Sequence, residues 1–145
     1  MRVDFYQLSR DPAAQVVAVL ASKALGAGAR VLIVAAQEAV RKAASRALWE
    51  ASPDSFLANG MAGSPHDARQ PILLADHVTP ANGAQMLIIA DGRWRAPGSG
   101  FSRVMLLFDA STIDDARGTW RQLGEDETVE RHFWRQDGAR WIQGP

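Results

Sequence analysis

The runs of apolar residues in this chain constrain its fold more than any other feature. Val31 to Ala36 is entirely aliphatic, and Gln85 to Ala90 and Arg103 to Phe108 are nearly so. Each run has the length of a strand and lacks the alternation expected of a sheet with one face in water. Such runs are typical of parallel strands that are covered on both faces, so these three segments are predicted to be central strands.

The first half of the chain predicts a βαβ unit. Val3 to Leu8 has the composition of a strand, and Asp11-Pro12 is a typical helix start, with proline at the first helical position. The helix should run to the glycines at 26 and 28, ahead of the apolar strand that starts at Val31. A second helix is predicted from Gln37 to Trp49. A strand, a helix and a second strand in this order form a right-handed crossover.

The second half adds further strands. Phe56 to Gln70 and Asp91 to Gly100 are predicted loops, and Pro71 to Leu74 a short strand. Thr128 to Gln136 is predicted to be a strand that turns back at Asp137-Gly138 into Ala139 to Ile142. The interleaved elements predict an α/β sandwich with a mainly parallel sheet, formed as a single domain over residues 1–145.

Composition narrows the classes of function. The 145-residue chain has no cysteine, which excludes disulfides, thiolate metal sites and cysteine nucleophiles. No apolar run approaches the roughly 18 residues that a membrane span needs, and the first residues resemble a strand rather than a signal peptide, so a soluble, cytoplasmic protein is expected. Sixteen basic and sixteen acidic residues balance. This balance argues against a broad basic surface that would bind the phosphate groups of nucleic acid.

The segment Ser111 to Leu123 predicts an amphipathic helix with a candidate ligand site. Its first serine, followed three residues later by Asp114, has the pattern of a capping box. Arg117 and Arg121 lie one turn apart beside the apolar stripe, with Trp120 between them. Two guanidinium groups next to an indole suit a ligand that carries carboxylates and an apolar group. The alternative is a core tryptophan flanked by solvated arginines.

The sequence contains no recognisable motif for catalysis or for binding a cofactor. The glycines at 26 and 28 precede a strand, whereas phosphate-binding glycines follow one, and Ala35 to Glu38 after the second strand has no glycine. The histidines at 66, 77 and 132 share no metal-ligand spacing. We therefore expect no metal, no cofactor and no enzymatic activity. A small Rossmann-like nucleotide-binding enzyme is the alternative that the fold class leaves open.

A second alternative is a binder of single-stranded nucleic acid. Trp94 lies between Arg93 and Arg95 in a predicted loop, and aromatic residues alternating with arginine are typical of surfaces on which bases stack. The balanced charge of the chain disfavours this interpretation.

Several short motifs follow one another along the chain. In chain order they are Phe5-Tyr6-Gln7-Leu8, Gly28 to Ile33, Ala47-Leu48-Trp49, Ser55-Phe56, Ala116-Arg117, Trp120-Arg121, Phe133-Trp134 and Gly138 to Trp141. Each is short, but over nearly the whole chain their order and approximate spacing resemble those of one protein family, the chi subunit of bacterial DNA polymerase III holoenzyme.

The resemblance implies a Rossmann-like three-layer sandwich and a noncatalytic accessory subunit of the clamp-loader complex. In this family the C-terminal helix receives the acidic tail of single-stranded DNA-binding protein, which ends in aspartates, an apolar pair and a free carboxylate. The matching positions are Arg117, Trp120 and Arg121, with Phe108 as a wall of the apolar pocket. Direct contact with nucleic acid or with a membrane is not expected.

The resemblance also implies a second partner surface, for the psi subunit or for an iron–sulfur helicase. The matching residues are Trp49 and Phe56, with Leu48 and Leu57 nearby. The chain departs from the family here, because an apolar residue, proline and histidine often follow the position of Phe56 in chi proteins. In addition, Gly118 occupies a helix position that is usually charged.

Overall fold

A computed structural model gives the fold of residues 1–51 and 57–144. The strands are β1 (Arg2–Gln7), β2 (Val31–Val34), β3 (Asn59–Met61), β4 (Ile72–Ala75), β5 (Met86–Ile89), β6 (Arg103–Phe108), β7 (Glu130–Asp137) and β8 (Arg140–Gln143). The α-helices within these ranges are α1 (Ala13–Gly26), α2 (Glu38–Glu50) and α3 (Ile113–Leu123).

The strands form one eight-stranded sheet in the order β3-β4-β2-β5-β6-β1-β7-β8. Every neighbouring pair is parallel except the β7–β8 hairpin, which is antiparallel. The hairpin turns at Gly138, whose φ of 63° favours glycine. The predicted α/β fold, the mainly parallel sheet and the terminal hairpin are confirmed.

The sheet lies between two layers, as expected of a Rossmann-like sandwich. On one face α1 and α2 pack through Val17 and Leu48 against strand residues such as Ile33 and Ile88. On the other face α3 packs through Ala116 against alternate residues of the same strands. The central strands are apolar throughout because both of their faces are buried.

The helix α1 begins one residue later than predicted, because Pro12 rather than Asp11 occupies the N-cap position and Ala13 is the first helical residue. Two other details of the predicted elements are wrong. The predicted capping box is absent, because α3 begins at Ile113 and Thr112 at its N-cap makes no side-chain capping bond. Ser111 instead donates both its hydroxyl and its backbone N–H to the Asp109 carboxylate, the latter at 2.9 Å, in the turn that precedes the helix. The hydrogen bonds of this turn therefore replace the capping bond that the serine was predicted to form.

The second error concerns the predicted loop from Phe56 to Gln70. Phe56 lies outside the described residues, but the described part contains the edge strand β3 and a short 3-10 helix, Asp67–Arg69. β3 has the sequence Asn-Gly-Met, which has little strand propensity. It forms because β4 supplies a parallel partner for its backbone.

Candidate functional site

A pocket of about 310 Å³ lies between α3 and the adjoining face of the sheet. We name it the α3 pocket. Its lining residues are Phe5, Gln7, Phe108, Ile113, Ala116, Arg117, Trp120, Arg121 and Phe133. The helix forms one wall, and strands β1, β6 and β7 form the other.

The four residues predicted from the sequence for the tail site lie together in this pocket. Arg117, Trp120 and Arg121 come from α3, and Phe108 is the last residue of β6. The helical spacing turns Ala116 into the core, leaves Trp120 half-buried at the pocket wall and leaves both arginines exposed. The indole therefore belongs both to the core and to the pocket, a combination that the sequence alternatives had treated as exclusive.

Aromatic rings from two further strands complete the wall. Phe5 meets Trp120 edge to face with ring centroids 5.1 Å apart, and Phe133 does so at 6.4 Å. Phe133 also packs against Phe108, with centroids 6.3 Å apart. Such contacts orient large rings beyond simple burial. The resulting slot is apolar and open at the side of the arginines.

Phe5 and Phe133 were not predicted as site residues. They are direct neighbours in the parallel pairing of β1 with β7, so they point to the same face of the sheet. Knowledge of this pairing would have identified them, but the two residues are far apart in the chain.

Arg131 on β7 fixes the position of Trp120. Its guanidinium carbon lies 4.3 Å from the centre of the indole, and its Nη1 donates a 2.7 Å hydrogen bond to the Trp120 carbonyl. That carbonyl is in the last turn of α3, where cations are favourable. Gly124 leaves space for the guanidinium, because a Cβ there would lie 2.7 Å from Nη1 of Arg131.

The two arginines of α3 keep their charge available to a ligand. The Nη1 of Arg117 lies 3.8 Å from the Asp114 carboxylate, but the two side chains are 64% and 95% exposed, so this ion pair is weak. Among the described residues, no carboxylate lies within 4.0 Å of the Arg121 guanidinium. The α3 pocket thus combines an aromatic slot with two solvated guanidinium groups.

Residues 1–130 match the model of a protein family described as the DNA polymerase III chi subunit, HolC. The chain belongs to this family. A comparison with curated proteins finds no significant match. The chi family is an accessory subunit of DNA polymerase III, in agreement with the resemblance of the sequence motifs. The matched region contains all of α3, whereas Arg131 and Phe133 follow it.

The second surface that the chi resemblance implies is only partly described. Trp49, near the end of α2, is 51% exposed, which is unusual for an indole. Leu48 and Leu57 are buried in the core, at 0% and 6% exposure, so neither is accessible to a partner. Phe56 lies outside the described residues. Among the described residues of this set, Trp49 is therefore the one that is accessible to a partner.

A side chain of the protein occupies one of the places where a nucleotide-binding α/β protein could hold a phosphate. Ligands of open α/β sheets bind at the carboxyl ends of neighbouring strands whose connections run in opposite directions, and β2 and β5 are one such pair. The Asp91 carboxylate accepts a 2.9 Å hydrogen bond from the N–H of Ala36 and pairs with Arg95 at 2.8 Å. An anionic phosphate would be repelled from this position.

The pKa of Asp91 is consistent with a permanent charge at this position. Burial raises the pKa of the carboxyl, but hydrogen bonds from Arg95 and from the N–H groups of Ala36 and Arg93 outweigh burial, and the pKa lies below its ordinary value. This geometry disfavours the nucleotide-binding alternative.

The Trp94 segment does not form an open platform for nucleic-acid bases. Trp94 packs against the core on the α3 side of the sheet, and Arg95 is engaged with Asp91.

Within the described residues, no three histidine, aspartate or glutamate side chains cluster as metal ligands. No helix in the same part of the chain is both long and apolar enough to cross a membrane.

Proposed function

We propose that this protein is the clamp-loader accessory subunit that links DNA polymerase III to single-stranded DNA-binding protein. The α3 pocket would receive the acidic C-terminal tail of that protein. The observation that carries the proposal is the position of Arg117 and Arg121, both solvated, at the mouth of an aromatic pocket in a chi-family chain.

The chemistry of the pocket matches that of the tail group by group. A terminal carboxylate forms charge-assisted hydrogen bonds with an arginine fork, and Arg121 is available for this contact. A terminal phenylalanine ring fits the slot between Trp120, Phe108 and Phe133. Aspartates upstream in the tail would gain from Arg117. The interface is small, so we expect an affinity in the micromolar range.

The proposal is tested by fluorescence anisotropy with a labelled peptide that ends in aspartates and a phenylalanine with a free carboxylate. Arg121→Ala should weaken binding at least about tenfold, because a charge-assisted hydrogen bond is worth about 1.5–3 kcal/mol. Arg117→Ala should weaken it less. Arg46→Ala is the matched control, since this exposed arginine lies on α2, across the sheet.

A peptide with an amidated C-terminus separates the carboxylate contact from general attraction between charges. We expect it to bind several-fold more weakly than the free acid, and Arg121→Ala should largely abolish the difference. Equal affinity of the two peptides for the unmodified protein would rule out the carboxylate contact, and binding that is insensitive to both arginine substitutions would rule out the site.

We also propose that the surface around Trp49 binds the psi subunit, or an iron–sulfur helicase in its place. An indole that is half-exposed at a helix end is a typical anchor for a protein partner. In size-exclusion chromatography with purified psi, Trp49→Ala should abolish co-elution and Arg121→Ala should preserve it. Co-elution of the Trp49→Ala variant would exclude Trp49 as the anchor.

A further inference from the structure

A second pocket, of about 320 Å³, lies on the opposite face of the sheet from the α3 pocket. It opens between the last turns of α1 and strands β1, β6, β7 and β8, and we name it the α1 pocket. Three aromatic residues line it, namely Tyr6, Trp134 and Trp141, together with the basic side chains of Lys23 and Arg103. No part of the proposed function uses these residues.

The pairing of β1 with β7 explains why aromatic pockets occur on both faces. Phe5 pairs with Phe133, and the next register position pairs Tyr6 with Trp134. Because successive strand residues point to opposite faces, the first pair faces α3 and the second faces α1. Tyr6 and Trp134 are stacked with ring centroids 6.3 Å apart, and Trp141 meets Tyr6 edge to face at 5.1 Å.

The charge of the α1 pocket determines which ligands it suits. A cage of aromatic rings alone would attract a quaternary ammonium group. Here Lys23 and Arg103 line the wall, and none of the lining residues is acidic. Among the described residues, no carboxylate lies within 4.0 Å of the Lys23 ammonium group. A cationic ligand would be repelled, and an anionic one attracted.

The nearby buried carboxylate compensates only part of this positive charge, because Asp4 is shared by Arg2 and Arg103 and does not pair with Lys23. Asp4 is fully buried and already accepts hydrogen bonds from Arg2, Arg103 and Trp134. The Nε of Arg103 points to Asp4 and its Nη2 donates to the Tyr6 hydroxyl at 3.0 Å, whereas its Nη1 makes no hydrogen bond within the described residues. That N–H edge is available to a ligand.

We propose that the α1 pocket binds a small aromatic carboxylate, with its ring against Tyr6, Trp134 and Trp141 and its carboxylate facing Lys23 and Arg103. The volume is at the lower end of the range for small-molecule sites, about 300–1,000 Å³, so a ligand of one or two fused rings is expected. This inference is independent of the proposed function, because the two pockets lie on opposite faces of the sheet.

Three probes with the same ring and different charge test the proposal: indole-3-acetate, indole-3-acetamide and tryptamine. Each is titrated into uniformly 15N-labelled protein, and the indole N–H signals are assigned with single Trp→Phe variants. The protein carries Arg117→Ala and Arg121→Ala, which weaken binding of anions at the α3 pocket. We expect saturable shifts of the Trp134 and Trp141 signals with indole-3-acetate, at least fivefold weaker binding of the amide and no saturation with tryptamine.

Lys23→Ala should weaken indole-3-acetate binding several-fold. Lys42→Ala is the matched control, since Lys23 and Lys42 are the two lysines of the chain and Lys42 does not line this pocket. Equal affinity of the acid and the amide, preference for tryptamine, unchanged affinity in Lys23→Ala, or an unsaturated drift of the signals would each overturn the proposal. Loss of peptide binding at the α3 pocket would leave these signals unaffected, so the two proposals fail separately.

Discussion

At the scale of single residues, Asp4 is the group whose ionisation is most closely tied to the fold. Burial raises the pKa of its carboxyl, but hydrogen bonds from Arg2, Trp134 and Arg103 outweigh burial and hold the pKa below its ordinary value. A carboxyl with a lowered pKa in the folded state stabilises the protein above the unfolded pKa of about 3.9. This stabilisation is lost as the pH falls through the folded pKa.

We therefore predict that Asp4→Asn lowers the free energy of unfolding by about 2 kcal/mol at pH 7. Breaking a buried ion pair costs about 3–5 kcal/mol, and we expect less here because Arg2 and Arg103 are partly exposed and can turn to water. Urea unfolding followed by circular dichroism measures the effect. The difference from the unmodified protein should shrink as the pH falls below about 4, because the Asp4 carboxyl of the unfolded chain is protonated first and that of the folded protein, whose pKa is lower, follows.

Asp137→Asn is the control for this prediction, because Asp137 is exposed at the hairpin turn. Its free energy of unfolding should match that of the unmodified protein at pH 7 and at pH 3. A deficit of Asp4→Asn that stays constant between pH 7 and pH 3 would show that the amide disturbs packing rather than charge.

The sequence was most informative at this scale for residues on one helix. The positions of Arg117, Trp120 and Arg121 follow from a period of 3.6 residues, so their convergence was predictable. Phe5 and Phe133 were not, because their proximity depends on which strands are neighbours. The contact between Arg131 and Trp120 joins two elements in the same way, and nothing local in either segment indicates it.

At the scale of elements, α3 contains one residue that lowers the stability of the helix. Gly118 lies inside the helix, and a Cβ built on it would have no other atom within 4 Å. Glycine in a helix interior costs about 1 kcal/mol relative to alanine. We predict that Gly118→Ala raises the free energy of unfolding by about this amount in urea, with peptide affinity unchanged within twofold. A destabilised variant would indicate that the position needs the backbone freedom of glycine.

A neighbouring glycine should behave in the opposite way. In Gly124→Ala the new methyl group would lie within about 3 Å of the Arg131 guanidinium and displace it from the Trp120 ring. We predict a shift of the Trp120 indole N–H signal in 15N NMR spectra and weaker binding of the acidic peptide, since the pocket wall loses its support. Arg131→Lys should reproduce both effects, because an ammonium group cannot both stack on the ring and cap the helix. An unchanged Trp120 indole N–H signal in both variants would exclude the positioning role of Arg131.

The sequence predicted elements well where the pattern is internal to the element. The helices and the central strands were found within one or two residues of their ends, and β6 was found at its observed bounds. The start of α3 was misplaced, because Ser111 bonds to the preceding Asp109 rather than to the helix. The strand β3 was missed for a different reason, since its backbone is ordered by β4 and its residues carry no strand pattern.

At the scale of the whole molecule, strand order is the property that could not be predicted from the sequence. Continuous apolar runs predicted two covered faces but not that β1 lies between β6 and β7. This placement pairs Phe5 with Phe133 on the α3 face of the sheet and Tyr6 with Trp134 on the α1 face. Both pockets therefore follow from a single parallel pairing between the two ends of the chain.

The charge of the whole chain bears on how a partner is attracted. Sixteen basic residues balance sixteen acidic ones, so the field of the molecule at long range is weak. Attraction of an acidic tail should then come from the two arginines of α3 rather than from the protein as a whole. We predict that peptide affinity, measured by anisotropy, falls severalfold between about 50 and 500 mM NaCl, because salt screens exposed charges over a Debye length of about 10 Å at 0.1 M.

The double variant Arg117→Ala, Arg121→Ala separates local from global attraction. Its residual binding should depend little on salt, since what remains is contact with the aromatic slot. Arg46→Ala removes the same kind of charge from α2 and should keep the full salt dependence of the unmodified protein. If the double variant retained that dependence while Arg46→Ala lost it, the tail would be drawn to the α2 side of the sheet, and the α3 pocket would not be its site.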